Sequence, residues 1–61
     1  MGMPDRDRGI LMAAIDEING RETDTDEERY TRNRFRELLK QDEPLTVPQF
    51  VWARRVAKGG A

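Results

Sequence analysis

Cysteine and histidine are both absent from this chain of 61 residues, and that absence most constrains what it can fold into. A domain of this length buries only about 60% of the surface of its extended chain, so its margin of stability is thin. Small domains often compensate with disulfides or a structural metal, and both need the residue types that are missing here. An apolar core must hold the fold, alone or with a second chain, so a homodimer is possible.

The residue types that enzymes use most are scarce as well. Serine is missing together with cysteine and histidine, which removes most side-chain nucleophiles and the usual general base at neutral pH. The run Asp24-x-Asp26-x-Glu28 resembles the start of a calcium-binding loop. It has Arg29 where that loop needs glycine, and Phe35 where it needs glutamate. We therefore expect a protein without catalysis, cofactor or metal.

The overall charge does not direct the chain to a particular class of partner. Eleven basic and 12 acidic residues give a net charge of −1, so neither nucleic acid nor a membrane attracts the whole chain. No apolar run approaches the ~20 residues needed to cross a bilayer. The start, residues 1–5, lacks the charged-then-apolar plan of a signal peptide. We expect a cytoplasmic protein that has no membrane partner.

The first predicted helix covers residues 4–19. Asp5 and Asp7 complement the positive end of its dipole, and Gly20 favours a helix end because glycine tolerates the left-handed conformation. Five apolar residues follow the helical spacing of three and four and fill one arc of this segment. They are Ile10, Leu11, Ala14, Ile15 and Ile18.

The second predicted helix covers residues 26–41. Thr25 and Glu28 have the spacing of a capping box, in which each side chain binds the backbone N–H of the other residue. Three apolar residues, which are Phe35, Leu38 and Leu39, share one face of the helix.

The third segment allows two interpretations. The alternation through residues 50–52 is compatible with a strand. However, Thr46 and Gln49 have capping-box spacing, and Gly59 stands where a glycine commonly ends a helix. These signals agree with one another and predict a helix over residues 47–58.

Three short helices with short connections predict an all-α fold, a small three-helix bundle. The sequence contains no internal repeat. We therefore expect one helical domain over residues 1–61, with a flexible glycine-containing tail at 59–61.

The most suggestive surface is a basic stripe on the second helix, away from the Phe35 face. Its members are spaced by three, four and four residues: Arg29, Arg32, Arg36 and Lys40. Like charges at this spacing destabilise a helix by about 0.2–0.5 kcal/mol per pair. The stripe is therefore either an anion-binding face, for an acidic protein or for nucleic-acid phosphate, or a solvated face that nearby acids neutralise. Those acids would be Glu22, Asp24, Asp26 or Asp42.

The third helix adds a second candidate surface. Trp52 is the only tryptophan, and tryptophan and arginine are enriched at the energetic centres of protein interfaces. Val51, Trp52 and Arg55 could therefore form an apolar anchor for a partner, with Arg54 and Lys58 on the same side as Val51. The alternative places Trp52 mainly in the core.

A DNA-binding helix-turn-helix fits less well. That motif joins its helices through three or four residues, often with a glycine, whereas the connector at residues 41–45 is longer and acidic and has no glycine. The start of the would-be recognition helix is apolar, with Val47 and Phe50 where base reading needs polar side chains.

One local similarity concerns residues 34–52. Arg34-Phe35-Arg36-Glu37-Leu38, followed by Val47-Pro48-Gln49-Phe50-Val51-Trp52, resembles the C-terminal half of the Hha/YmoA family. The resemblance implies a small helical protein that binds nucleoid-structuring H-NS proteins. The N-terminal part of the chain does not follow the pattern of the family.

Taken together, these features favour a small non-catalytic module for protein–protein interaction. It would be a regulatory adaptor or inhibitor, of the size and charge common among phage and plasmid proteins, binding through the basic stripe and the apolar anchor. The alternative is a dimeric DNA-binding transcriptional regulator, whose affinity would fall steeply with salt.

Overall fold

The computed structural model describes residues 2–60, which form three α-helices: α1 (Asp5–Asn19), α2 (Asp26–Gln41) and α3 (Val47–Ala57). The predicted and observed ends differ by at most one residue. No strand occurs between residues 2 and 60, so the helical interpretation of the third segment is the right one. The predicted all-α three-helix bundle is confirmed.

Helix α1 is the centre of the bundle, because it packs against both other helices and more extensively against α3. Its predicted apolar arc supplies four of the nine buried hydrophobic residues. The nine are Met3, Leu11, Ala14, Ile15, Ile18, Phe35, Leu38, Ala53 and Val56. The rings of Phe35 and Trp52 meet edge to face, with centroids 4.6 Å apart, and link α2 to α3. Phe35 is fully buried, while Trp52 is partly buried against the core.

Both predicted capping boxes are present. Thr25 Oγ1 accepts a hydrogen bond from the Glu28 N–H at 3.1 Å, and Glu28 Oε1 accepts one from the Thr25 N–H at 2.9 Å. Thr46 and Gln49 make the same reciprocal pair at 3.3 and 2.9 Å. Each box satisfies donors that the first turn of the helix leaves free, so α2 and α3 begin where local chemistry predicts.

The prediction that Gly20 ends α1 in a left-handed conformation is wrong. Gly20 has φ −81° and ends the helix in a right-handed conformation, with its N–H bound to the Asp16 carbonyl at 3.0 Å. The left-handed residue lies instead at the end of α2, where Asp42 has φ 54°. Aspartate tolerates this region better than most residues, and the Asp42 carboxylate is held by the Met3 N–H at 3.0 Å and by Arg8.

The chain beyond α3 is hydrogen-bonded as far as it is described. Gly59 has φ 90°, as expected for a glycine that ends a helix. The Gly60 N–H donates to the Arg55 carbonyl at 2.9 Å, and the Gly60 carbonyl accepts from Arg21 at 3.0 Å. Of the tail predicted to be flexible at 59–61, residues 59 and 60 thus make backbone hydrogen bonds, Ala61 lies outside the described residues, and the flexibility itself stays a prediction. Within that described range, no helix is long and apolar enough to cross a bilayer.

Asp7 is buried, with 1% of its surface exposed. Its Oδ2 accepts a hydrogen bond from the Leu45 N–H at 3.0 Å, and its Oδ1 lies 3.4 Å from Arg6 Nε. Asp7 therefore joins the first turn of α1 to the loop between α2 and α3. The residues next to Asp7 in the chain predict only its interaction with the helix dipole, since nothing local indicates its burial.

Candidate binding surfaces

The N-terminal end of the basic stripe is neutralised within the protein. Arg29 forms an ion pair with Asp26 at 2.7 Å, and its Nε lies 3.6 Å from a carboxylate oxygen of Asp24. Both acids belong to the segment just before or at the start of α2. Arg29 is therefore neutralised by nearby acids, as in the second of the two interpretations of the stripe, rather than open to an anion.

Arg32 takes part in the packing of the bundle. It is partly buried, and its Nη1 donates to Asn19 Oδ1 at 3.2 Å, at the end of α1. Its Nε is buried without a hydrogen-bond partner. Arg32 therefore lies nearer the core than the other stripe residues and joins α1 to α2.

The C-terminal half of the stripe is open to solvent. Arg36 and Lys40 are exposed, and neither forms an ion pair with any residue from 2 to 60. We call these two residues the α2 cation pair. They stand at the unfavourable like-charge spacing, and no acid among the described residues pairs with either of them.

Asp42, one of the acids expected to neutralise the stripe, contacts residues outside the stripe instead. It pairs with Arg8 of α1. The hydrogen bond from the Met3 N–H, together with the contact and charge of Arg8, lowers the pKa of Asp42 below its ordinary value. Asp42 therefore holds the N-terminal segment of the chain and leaves Lys40 without a counter-charge.

The side of α3 that faces away from the bundle combines exposed apolar residues with cations. Val47 is 76% exposed and Val51 is 45% exposed. Arg54, Arg55 and Lys58 are exposed too, and no acidic residue occurs in α3. Across residues 2–60 these three cations have no ion-pair partner. We call these five residues the α3 outer face.

The predicted apolar anchor is divided by the fold. Val51 and Arg55 lie on the α3 outer face, whereas Trp52 turns toward Phe35 and the core. Val47 is not among the residues predicted to bind a partner. Its position could have indicated this role, since Val47 stands one helical turn before Val51 and therefore shares its face.

The two groups of free cations lie on different sides of the bundle. Side chains advance by about 100° per residue around a helix. Phe35 faces α3, so Arg36 and Lys40 lie well around α2 from it, toward the side where Arg32 meets Asn19 of α1. The α2 cation pair and the α3 outer face are therefore separate surfaces.

A small cleft of about 230 Å³ lies at the end of the bundle where α1 ends and α2 begins. It is lined by Ile18, Arg21, Thr25, Glu27, Glu28, Thr31, Val56 and Gly60. An ion pair between Arg21 Nη1 and Glu28 Oε2, 3.2 Å apart, forms part of its wall. The Thr25 N–H, the Thr23 hydroxyl and Arg21 all donate to Glu28 and hold its pKa at about 2, against an ordinary value of 4.5. The Glu28 carboxylate in the cleft wall therefore already accepts three hydrogen bonds from within the chain.

Replacing Glu28 with glutamine should make the stability of the protein less sensitive to acid. Because the folded-state pKa of about 2 lies below 4.5, the carboxylate of Glu28 stabilises the fold fully above pH 4.5. This contribution is lost as the pH falls from 4.5 toward 2. Thermal melts of both proteins across this pH range measure the difference. The control is Glu27→Gln, which removes a charge from the same turn but none of these hydrogen bonds. If Glu27→Gln reduces the pH dependence of stability as much as Glu28→Gln does, the assignment to Glu28 is wrong.

No three acidic side chains among residues 2–60 are grouped so that they could hold a metal ion. Comparison of the chain with protein-family models, with curated proteins and with solved structures finds no significant match. The local resemblance to the Hha/YmoA family is therefore not supported by a match to any family model.

Proposed function

We propose that this chain is a non-catalytic binding module, a regulatory adaptor or inhibitor, that docks on an acidic protein surface. The supporting observation is the uneven pairing of its charges. Within residues 2–60, five of its 11 cations form ion pairs, and Arg32 is bound to Asn19. The remaining five are exposed and fall into two compact groups, the α2 cation pair and the α3 outer face.

Concentrated cations on a chain of net charge −1 favour a partner that presents local carboxylates. Such charges steer the encounter and select the partner, and their contribution weakens with salt. A nucleic acid is a poorer fit, because phosphate binding favours a continuous basic track. Here the two cationic groups lie on different sides of the bundle. The exposed valines beside Arg54 add an apolar contact that a protein surface can cover.

The test is a pull-down from a lysate of the source organism, with nuclease treatment and washes at about 50 and about 200 mM salt. The retained protein is then purified and titrated with two double variants, Arg36→Gln/Lys40→Gln and Arg54→Gln/Lys58→Gln. We expect at least one of them to weaken binding by roughly tenfold, about 1.4 kcal/mol, as expected for the loss of charge pairs at an interface.

The matched control is Arg29→Gln, because Arg29 is exposed but already paired with Asp24 and Asp26. It should change the affinity by less than about twofold, since its charge is neutralised within the chain. An equal loss in the control would contradict the role of unpaired cations. If nuclease removes every partner and duplex DNA binds with a steep dependence on salt, the dimeric DNA-binding regulator replaces this proposal.

A further inference from the structure

The α3 outer face contains a single row of four residues. Val47, Val51, Arg54 and Lys58 follow one another at intervals of four, three and four residues, so they align along one side of the helix. At 1.5 Å per residue the row is about 16 Å long, or about three helical turns. The opposite side of α3 is occupied by the core, where Ala53 and Val56 are buried. The row is therefore held rigidly by the bundle while remaining open to solvent.

The two halves of this row differ in chemistry. Val47 and Val51, in the N-terminal half, are apolar, yet they are 76% and 45% exposed. Arg54 and Lys58, in the C-terminal half, are cationic and lack an ion-pair partner within residues 2–60. A complementary surface needs aliphatic groups opposite the first half and carboxylates opposite the second.

We propose that the α3 outer face receives an acidic amphipathic helix of the partner, lying antiparallel to α3; this rests on the proposed function. A helix matches the row because its own side chains repeat at intervals of three and four residues along one face. Nucleic acid would leave Val47 and Val51 against phosphate or solvent. A lipid surface is recognised by a broad apolar face with bulky residues, and here only two valines are exposed on α3.

The direction follows from the positions of the charges. Carboxylates are most favourable in the first turns of a helix, where the dipole is positive. Arg54 and Lys58 lie near the C-terminal end of α3. Placing the acidic first turns of the partner helix against these cations makes the two helices antiparallel. The later turns of the partner helix then bring aliphatic side chains over Val51 and Val47.

The test is a selection of binders to the full chain from a displayed library of single helices of about 18 residues with one randomised face. We expect enriched sequences to carry Asp or Glu in the first two turns and Leu, Ile, Val or Met in the later turns. Enrichment of the opposite order, of cationic faces or of no common pattern would overturn the proposal.

Two variants test whether the selected helices bind at the α3 outer face. Arg54→Glu/Lys58→Glu and, separately, Val51→Gln should each weaken binding of the selected helices by about tenfold or more, as expected when an interface loses its charge match or apolar contact. A helix in which lysine replaces the selected carboxylates should regain affinity for the charge-reversed protein. Circular dichroism verifies that each variant remains folded.

The matched controls are Arg36→Glu/Lys40→Glu, an equal charge reversal on α2, and Met12→Gln, which alters an exposed apolar residue of α1. An equal loss in these controls would overturn the assignment to α3. Binding of duplex DNA or of anionic vesicles that depends on Arg54 and Lys58 would also overturn it.

If the natural partner needs these two cations but the helix pattern does not emerge, this inference fails while the proposed function stands. If the pattern emerges but the lysate yields no protein partner, the proposed function fails and the face remains helix-binding.

Discussion

Replacing Phe35 with alanine should leave the protein largely unfolded at room temperature. Phe35 is fully buried, and its ring joins α2 to α3 through the edge-to-face contact with Trp52. Truncating a buried phenylalanine to alanine costs about 3–5 kcal/mol. A core of this size supplies a stability of only about 3–5 kcal/mol, so the expected loss is as large as the whole free energy of unfolding. Urea titration followed by circular dichroism and by Trp52 fluorescence measures it.

The control for this prediction is Tyr30→Ala, which removes another aromatic ring from α2. Tyr30 is 65% exposed, so the substitution should change the free energy of unfolding by no more than about 0.5 kcal/mol. A Phe35→Ala protein that unfolds cooperatively at nearly the normal urea concentration would show that Phe35 does not hold α2 in the bundle.

The second large effect is expected for Asp7→Ala. This substitution removes the acceptor of the Leu45 N–H and leaves a partly buried donor without a partner. The cost of such an unsatisfied group is about 1–3 kcal/mol, and the lost charge at the start of α1 adds about 0.3–1 kcal/mol. Chemical denaturation should therefore show a loss of roughly 1–4 kcal/mol, which at its upper end matches the stability of the domain.

Two further substitutions separate the hydrogen bond from the charge. Asp7→Asn keeps an oxygen that can accept from the Leu45 N–H, so it should be less damaging than Asp7→Ala. Asp5→Ala removes an exposed carboxylate from the same first turn and should cost less than about 1 kcal/mol. If Asp5→Ala and Asp7→Ala are equally destabilising, the link between α1 and the α2–α3 loop has no special importance for stability.

Much of the local structure could be predicted because it depends on residues close together in the chain. Thr25 with Glu28, and Thr46 with Gln49, mark the starts of α2 and α3 through side chains three positions apart. The conformation at the end of α1 is harder to predict, since a glycine such as Gly20 can end a helix in either the left-handed or the right-handed conformation. Gly20 adopts the right-handed form, and the sequence alone does not distinguish the two.

The candidate surfaces were only partly predictable. The spacing of Arg29 and Arg36 places them on one stripe, but spacing does not reveal which charges are paired. Arg29 pairs with acids three and five positions away, and both of them are among the acids that the sequence offers as counter-charges. Arg32 meets Asn19, 13 positions away, and Arg8 meets Asp42, 34 positions away. Such pairs form only once α1 and α2 have packed side by side.

The sequence by itself determined the three helices, their capping boxes and the apolar faces, because these depend on contacts within one or two helical turns. Only the tertiary structure decided that Asp7 is buried, that Trp52 turns toward Phe35, and that Arg36, Lys40 and the α3 outer face remain free. The physical reason is that burial and charge pairing depend on the angle at which helices pack. Residues far apart in the chain set that angle together.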